Sequence, residues 1–334
     1  MQTPNRDLFP TAAMLERFPT ITPLLVNEPV DNAFKRHEVI SVAAKKLYHR
    51  LGLVSIILVG GSAIYTVADT LLMKGAAGPL VSLAAAIAGS IGLGSQIYML
   101  AAKLKSKWLV NRFACERIRS LKFQAYSIAA TAADEEELAR RIKPYCAAEL
   151  AKLESELNMG IATFETFVPD KAVIVPKRGP GPINQTMVQE AMDAFRELRV
   201  QYQDRFAAGE LHRLKEHKRA FHSAADTLYF VGACLVLLSL LSKTVPAAIP
   251  ISAWVDFLAI SAFILSISKD VLDNAALTAP SAARFQRYRE DIAEVEAQIA
   301  AGAELDSFVP QMERVALGEL EEFCDASKSI NYRL

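Results

Sequence analysis

Hydrophobic residues are concentrated in four long segments of this chain, and the segments form two close pairs. They cover residues 51–73, 79–102, 227–241 and 249–267. A bilayer core about 30 Å thick requires roughly 20 mostly apolar residues, and inside it a helix satisfies its own backbone polar groups. The pattern predicts an all-α membrane protein with two transmembrane helical hairpins, in which all four segments span the bilayer.

Basic residues surround each pair of segments but are sparse inside it. They are Lys45, Lys46, Arg50, Lys103, Lys105 and Lys107 around the first pair, and Arg213, Lys215, Lys218, Arg219, Lys269 and Arg284 around the second. The turns within the pairs contain only Lys74 and Lys243. Because Lys and Arg accumulate on the cytoplasmic side of membranes, we expect both termini and the central segment to lie in the cytoplasm. The first segment follows 50 mostly polar residues, which predicts an anchor rather than a cleaved signal peptide.

The two halves of the chain follow the same plan, which predicts an internal duplication. Arg112 and Phe113 recur as Arg284 and Phe285, 172 residues later, and the same shift places the first pair of apolar segments on the second. Each pair is followed by an apolar seam with steps of three and four residues, which predicts cytoplasmic helices of coiled-coil type. The seams are Ala114, Ile118, Leu121, Ala125 and Ile128 in the first half, and Phe285, Tyr288, Ile292, Val295 and Ile299 in the second.

Four consecutive regions are expected along the chain. Residues 1–50 form a cytoplasmic N-terminal region with the helix that enters the membrane, and residues 51–160 hold the first hairpin with its cytoplasmic helices. Residues 161–186 contain several Pro and Gly residues and are expected to form a linker, while residues 187–334 hold the second hairpin with its cytoplasmic helices.

Composition and motifs argue against an enzyme and against nucleic-acid binding. The chain contains 37 basic and 37 acidic residues, so no positive charge excess attracts nucleic acid. The five histidines and four cysteines lack the spacing of a zinc site, and no motif of a hydrolase, a phosphate-binding loop or a dinucleotide fingerprint occurs. We therefore expect no catalytic residues, no metal and no cofactor, and the cysteines are expected to be free thiols.

Asp256 is the most unusual polar residue of the apolar segments. An Asp near the middle of a membrane helix costs about 2.5–3.5 kcal/mol on insertion scales, so such residues often serve a function. In one interpretation Asp256 lines a water-filled or inter-helix surface, where a ring of carboxylates from several subunits would favour cations. In the other, Asp256 reaches the outer headgroups, since Trp254 is a typical interface anchor. Gln96 is a second candidate intramembrane polar residue.

Small residues in the second apolar segment predict a helix-packing seam. Ala84, Ala88 and Gly92 recur every four residues, and Gln96 continues the stripe. Such stripes allow another helix backbone to approach closely. The partner helix is either the first apolar segment or the same helix in another subunit.

The sequence after the first pair resembles the SLATT family. Trp108, Arg112, Phe113, Glu116 and Arg117 are similar to that family's stretch after a two-span hairpin. Residues from about 34 to 130 carry the likeness, whereas the second half departs from it, with Tyr288 at the place of Glu116. The resemblance implies a bacterial membrane effector that an upstream nucleotide-signalling protein triggers to assemble and breach the bilayer in antiviral defence.

The functional hypothesis that follows is a non-enzymatic, homo-oligomeric effector of the bacterial inner (plasma) membrane. It permeabilises the bilayer or forms a pore in a nucleotide-signalled antiphage or stress system. The alternative hypothesis is a membrane-anchored scaffold or sensor, whose cytoplasmic helices recruit a partner while the hairpins only tether it.

Overall fold

Four helices carry the apolar segments, and two of them run far beyond those segments. The structure, a computed structural model, describes residues 5–73, 78–158, 167–173, 184–244, 251–276 and 278–328, together with Ile330 and Tyr332. These described residues are almost entirely helical and contain no strand. The predicted all-α class is therefore confirmed.

The α-helices follow one another from the N-terminus. They are α1 (Ala12–Arg17), α2 (Thr22–Leu25), α3 (Glu28–Ala68), α4 (Pro79–Ala101), α5 (Leu104–Gln124), α6 (Glu135–Asn158), α7 (Pro169–Ala172), α8 (Gln185–Phe195), α9 (Tyr202–Thr244), α10 (Ile251–Ala276), α11 (Thr278–Ala300) and α12 (Leu305–Lys328). Short 3-10 segments occur at Pro19–Ile21 and Ala125–Thr131, and π-helical segments at Asp69–Met73 and Arg196–Gln201.

The order of long helices is the same in both halves of the chain. Helices α3 to α6 contain 41, 23, 21 and 24 residues, and α9 to α12 contain 43, 26, 23 and 24 residues. In each half a very long helix is followed by an apolar helix and then by two polar helices. Both fourth helices also contain an internal proline, Pro144 in α6 and Pro310 in α12.

Local sequence explains several helix ends. Helix α6 begins after Asp134, whose carboxylate accepts a hydrogen bond from the Glu137 backbone N–H at 2.8 Å, while the Glu137 side chain accepts one from the Ala133 N–H at 2.9 Å. This reciprocal capping satisfies backbone donors that the first turn leaves without a partner. Helix α4 ends where Lys103 adopts a φ of 50°, a left-handed conformation that cannot continue a helix.

The chain divides into two compact units, each built from segments of both halves. Met1–Ala43, Lys107–Arg213 and Pro280–Lys328 form one unit, called here the polar unit. Ala44–Ser106, Leu214–Ala279 and Ser329–Leu334 form the other, called the apolar unit. The division runs through α3 and α9, and it places corresponding segments of the two halves in the same unit.

An aromatic cluster lies at the centre of the polar unit. Phe195 from α8 has its ring centroid 5.8 Å from that of Phe123, 5.7 Å from that of Tyr126 and 5.6 Å from that of Phe308. These four side chains are almost completely buried. Aromatic pairs at such distances add to the stability that burial of apolar area provides.

The predicted seams form part of this core, the first in α5 and the 3-10 segment after it, the second in α11. All ten seam residues, from Ala114 to Ile128 and from Phe285 to Ile299, are buried. The helical periodicity that the sequence predicts is therefore confirmed in both halves. The expected linker, residues 161–186, lies largely outside the described residues, although α7 forms one helical turn where the composition favours none. Pro169 is tolerated there because it occupies a first-turn position whose N–H needs no helical partner.

In the apolar unit, α3 contacts both α4 and α10, and α10 also contacts α9. Gly92 of α4 lies against residues 55–59 of α3, and Gly60 of α3 lies near Ser268 of α10. A Cβ at Gly232 of α9 would lie 3.4 Å from the Cβ of Ala262 in α10. Glycine therefore allows close approach of the backbones along this series of four helices.

The outer surface of the apolar unit is covered with large apolar side chains. Those exposed by half or more are Ile57, Leu80, Val81, Leu83, Ile87, Ile91, Leu93, Ile97, Tyr98, Leu100, Tyr229, Phe230, Leu237, Leu238, Trp254 and Ile267. In the most apolar 18-residue stretch of α4 only 6% of the residues are buried, and in the corresponding stretch of the helix Glu28–Met73 only 22% are buried. A core helix of a water-soluble protein would be mostly buried.

By length and apolar composition, two helices in the described part of the chain are capable of crossing a membrane. They are Glu28–Met73 and Pro79–Ala101, which contain the first two predicted spans. In α9 the described apolar stretch, Thr227–Ser239, is shorter. In α10, Asp256 interrupts the apolar run and Lys269 and Asp270 follow it.

Candidate functional site

The carboxylate of Asp256 lies at the contact between α9 and α10. Its Oδ1 accepts a hydrogen bond from the Ser239 hydroxyl, and Ser239 is only 4% exposed. Asp256 itself is half-buried, whereas Trp254, two residues earlier, is exposed. The structure therefore places Asp256 between helices of the apolar unit, where a neighbouring hydroxyl stabilises its carboxyl group.

Further hydrogen bonds connect α3 to α4. The Ser62 hydroxyl donates to the Ala85 carbonyl oxygen at 3.0 Å, and the hydroxyls of Tyr65 and Ser82 lie 3.1 Å apart. Because apolar surroundings offer few other partners, hydroxyls across a helix contact hold the two helices in a defined register. The first pair of apolar helices is thus joined by polar as well as small-residue contacts.

The small-residue seam of α4 faces α3, and it follows a different line from the predicted stripe. Gly92 is buried, Ala88 is half-buried and Ala84 is exposed, while Gln96 is half-buried. A Cβ added at Gly92 would lie 2.7 Å from Val59 Cγ2 and 3.2 Å from the Ser55 carbonyl oxygen. In the described structure the seam partner at Gly92 is therefore the first apolar helix of the same chain.

The line of contact on α4 has steps of three and four residues. It runs through Ser82, Ala85, Gly89 and Gly92, and a Cβ at Gly89 would lie 2.9 Å from the Ser62 hydroxyl. At 3.6 residues per turn, a strict step of four rotates by about 40° each time, whereas alternating steps of three and four stay nearly on one face. For this reason the predicted stripe meets the contact at Gly92 and leaves it at Ala84.

The aromatic residues of the family-like stretch belong to the core of the polar unit. Trp108 is 3% exposed and its ring packs edge-on against Phe323, with 6.1 Å between centroids. Phe113 packs edge-on against Phe167 at 4.9 Å and lies in a cluster with Leu317 and other residues of α12. Trp108 and Phe113 therefore attach the start of α5 to the last helix.

Glu116 and its basic neighbours form an ion-paired group along α5. The Glu116 carboxylate lies 2.7 Å from Arg112 and accepts two hydrogen bonds of 2.7 Å from Arg119. Burial alone would raise the pKa of Glu116, but the charges of Arg112, Arg119 and Arg199 lower that pKa to about 2. The carboxylate is therefore ionised throughout the physiological range.

Arg117 has a different environment on the same helix. Its guanidinium lies over the rings of Phe113 and Phe167, 5.9 and 5.4 Å from their centroids. Burial lowers the pKa of Arg117, and the charges of Glu156 and Glu149 oppose this effect. Arg117 thus contributes cation–π contacts, while Glu116 contributes ion pairs.

Sequence reasoning missed the partners that connect α5 to the N-terminal segment. Arg119 Nε lies 3.1 Å from the fully buried Asp7, and Lys122 Nζ donates 2.7 Å hydrogen bonds to Asp31 and to the Leu8 carbonyl oxygen. The contacts of Asp7 and Leu8 fix residues preceding α1 against α5, and the contact of Asp31 fixes the start of α3. The charge of Asp7 raises the pKa of Arg119 against the lowering effect of burial.

Among the described residues of the polar unit, the most completely buried ion pair joins Arg199 to Glu313. Arg199 donates two hydrogen bonds of 2.7 and 2.8 Å to the two oxygens of Glu313, and the side chains are 2% and 0% exposed. Burial alone would lower the pKa of Arg199, but the charge and hydrogen bonds of Glu313 raise it. A weak sequence signal existed, since Glu313 lies four residues from the buried Val309 and Leu317, on an apolar helix face.

These contacts have the chemistry of structural ion pairs. Among the described residues, no three His, Cys, Asp or Glu side chains are arranged to hold a metal ion. Comparison of the chain with protein-family models, with curated proteins and with solved structures found no match.

Proposed function

We propose that this chain is a multi-pass protein of the bacterial inner membrane. In this proposal the four apolar helices cross the bilayer as two hairpins. The polar unit lies in the cytoplasm, and so do both termini of the chain. The observation that carries the proposal is the outer surface of the apolar unit, where large apolar side chains such as Leu80 and Ile97 are 80% and 66% exposed. Water disfavours such a surface by about 25 cal/mol per Å², whereas lipid accommodates it.

Proposed spans three and four depend on α9 and α10. The apolar part of α9 and all of α10 lie in the same unit as α4 and the apolar part of α3, and α10 packs on α3 through Gly60 and Ser268. A helix pressed against a spanning helix shares its environment, so the apolar face of α10 belongs in lipid as well. The basic residues around both pairs support the cytoplasmic orientation of the polar unit.

The activity that we propose is permeabilisation of the membrane by an assembly of several copies. The likeness of Trp108, Arg112, Phe113, Glu116 and Arg117 to the SLATT family supports a triggered membrane effector, and a nucleotide-signalling protein is the proposed upstream partner. Asp256 supports a polar path, because it places a carboxyl group inside an apolar helix bundle. A trigger opens the assembly by binding the open state more tightly than the resting state.

Ion flux across reconstituted liposomes tests this activity. We expect the purified protein at high density to pass monovalent cations, and Asp256→Asn to reduce the preference for cations over anions in the reversal potential. Asp270→Asn is the matched control, since Asp270 is exposed on the same helix beyond the apolar run. An absence of flux at every protein density would contradict the proposal, as would equal selectivity of Asp256→Asn and the parent protein.

The second candidate is a membrane-anchored scaffold or sensor, and the extent of the polar unit favours it. This unit has its own aromatic core and its own buried ion pairs, so it is equipped to bind a partner as a rigid body. Crosslinking in native membranes separates the two functions. A discrete homo-oligomer supports the effector, whereas a heteromeric complex without ion flux supports the scaffold.

A further inference from the structure

The end of the chain returns to the apolar unit after leaving the polar unit. Helix α12 ends at Lys328 in the polar unit, and only one residue separates it from Ile330. Ile330 and Tyr332 of this segment, called here the C-terminal tail, are 1% and 6% exposed, so neighbouring residues bury both side chains.

The backbone of Ile330 connects α3 to the first turn of α5, at the base of the first hairpin. Its carbonyl oxygen accepts a hydrogen bond of 2.7 Å from Lys105 Nζ and one of 3.3 Å from the Tyr48 hydroxyl. Tyr48 lies on α3 just before the apolar segment, and Lys105 lies just after α4. The chain enters the first hairpin near Tyr48 and leaves it near Lys105. The Ile330 carbonyl group thus bridges these two positions.

Tyr332 provides the second part of the contact. Its ring packs edge-on against the rings of Tyr48 and His49, with centroids 5.2 and 5.9 Å away, and its hydroxyl hydrogen-bonds with His49 Nδ1. Three aromatic rings therefore meet at the start of the apolar segment of α3.

Gly52 makes room for the Tyr332 ring. A Cβ added at Gly52 would lie 2.6 Å from Cδ1 of Tyr332 and still closer to two other ring atoms. No side chain other than the hydrogen of glycine fits there without moving the ring. Gly61, nine residues later on the same helix, has open space at the corresponding position. The Tyr332 ring therefore occupies the space that a side chain at position 52 would need.

We propose that the C-terminal tail is a regulatory clasp, which holds together the ends of the first hairpin through Gly52, Tyr48 and Lys105. Because the tail follows α12 directly, a change in α12 that pulls on the chain withdraws Tyr332 and releases the hairpin. The regulatory part rests on the proposed function, since it assigns the released hairpin to the permeable state. The clasp itself rests only on contacts within the apolar unit.

Carboxypeptidase trimming of detergent-purified protein, followed by intact mass, tests the clasp without any membrane. We compare the wild type, Gly52→Ala, Tyr332→Ala, the double variant and the control Gly61→Ala. In Gly52→Ala the added methyl expels the ring, so trimming past residue 332 should accelerate by at least about tenfold, the change that corresponds to about 1.4 kcal/mol. Gly61→Ala should trim like the wild type.

The double variant decides whether Gly52 acts through Tyr332. In the Tyr332→Ala background the ring is absent, so Gly52→Ala should add no further acceleration. Equal trimming of Gly52→Ala and wild type would overturn the clasp. The same acceleration by Gly52→Ala in both backgrounds would also overturn it, because the effect would then not pass through the ring.

Ion flux in liposomes tests the regulatory part separately. We expect Gly52→Ala to pass ions faster than both the wild type and Gly61→Ala. If the tail is released but flux equals that of the wild type, the regulatory role is overturned while the clasp stands. If all variants, including the wild type, pass no ions, the proposed function fails, and trimming still decides the clasp.

Discussion

The two units of this chain are both helical, but they differ in which side chains they bury and which they expose. The polar unit buries charged side chains, but its buried arginines each face a carboxylate, as Arg199 faces Glu313. The apolar unit buries glycine and serine at its helix contacts and exposes leucine, isoleucine and aromatic side chains. Both units are helical, so the helix pattern alone does not decide which side chains face inward.

Breaking the Arg199–Glu313 pair should have the largest effect on the polar unit. Arg199→Met leaves the Glu313 carboxyl buried without its partner, and we expect a loss of about 3–5 kcal/mol in the free energy of unfolding. The double variant Arg199→Met/Glu313→Leu should recover most of this loss. Urea unfolding, followed by Trp108 fluorescence in a Trp254→Phe background, reports on the polar unit alone.

Arg17→Met is the control for that experiment. Its salt bridge with Glu197 is exposed, 60% and 36% for the two side chains, so its loss should cost less than about 1 kcal/mol. If Arg199→Met and Arg17→Met unfold at the same urea concentration, buried pairing does not distinguish the polar unit.

A charge on the outer surface of the apolar unit should interfere with membrane insertion. Ile91 is 53% exposed on α4, and Ile91→Arg should cost about 2.5–3.5 kcal/mol if that surface faces lipid. Carbonate extraction should then release a larger fraction of the variant than of the parent protein. Ala147→Arg, on the exposed face of α6 in the polar unit, should leave the extracted fraction unchanged. Equal extraction of both variants would mean that the two surfaces meet the same solvent.

Acid should weaken the polar unit through Glu116. Its pKa is lowered from 4.5 to about 2, so its contribution is complete above pH 4.5 and disappears as the pH falls toward 2. At neutral pH Glu116→Gln should lose up to about 3 kcal/mol, and its difference from the wild type should close over that range. Urea midpoints of Trp108 fluorescence between pH 2 and 7 measure this, with the exposed Glu136→Gln as control. A gap that stays constant with pH would contradict the ion-pair account of Glu116.

Adding a single methyl group at the contact between α3 and α4 should lower the stability of the apolar unit. Gly92→Ala places a methyl 2.7 Å from Val59, and we expect a loss of about 1–3 kcal/mol. Gly94→Ala has open space and should change stability little. Unfolding in denaturing detergent, with Trp254 as the only tryptophan after Trp108→Phe, compares them. An equal response of both glycines would show that the contact at Gly92 is absent in detergent.

Helices and their buried faces were predictable from the sequence, because local periodicity encodes them. The seams from Ala114 and Phe285 are buried as predicted. The five residues that resemble the SLATT family also lie on one helix, α5, since they are close in sequence. Whether all four apolar segments cross a membrane, and whether the halves arose by duplication, stay predictions.

Contacts between distant parts of the chain were not predictable. Arg199 and Glu313 are 114 residues apart, and Tyr332 reaches Gly52 from the opposite end of the chain. Such pairs depend on which helices become neighbours, and periodicity within one helix does not contain that information. The same holds for the two units, each of which combines helices from both halves of the chain.

The proposal of four membrane-spanning helices with cytoplasmic termini is tested by measuring the orientation of the chain in a membrane. Reporter fusions after Leu334, and insertions between the paired apolar segments at residues 74–78 and 245–250, compare a fluorescent protein that folds only in the cytoplasm with a phosphatase active only in the periplasm. We expect fluorescence at the C-terminus and phosphatase activity at both insertions. Phosphatase activity at the C-terminus, or fluorescence at either insertion, would contradict the four-helix membrane arrangement.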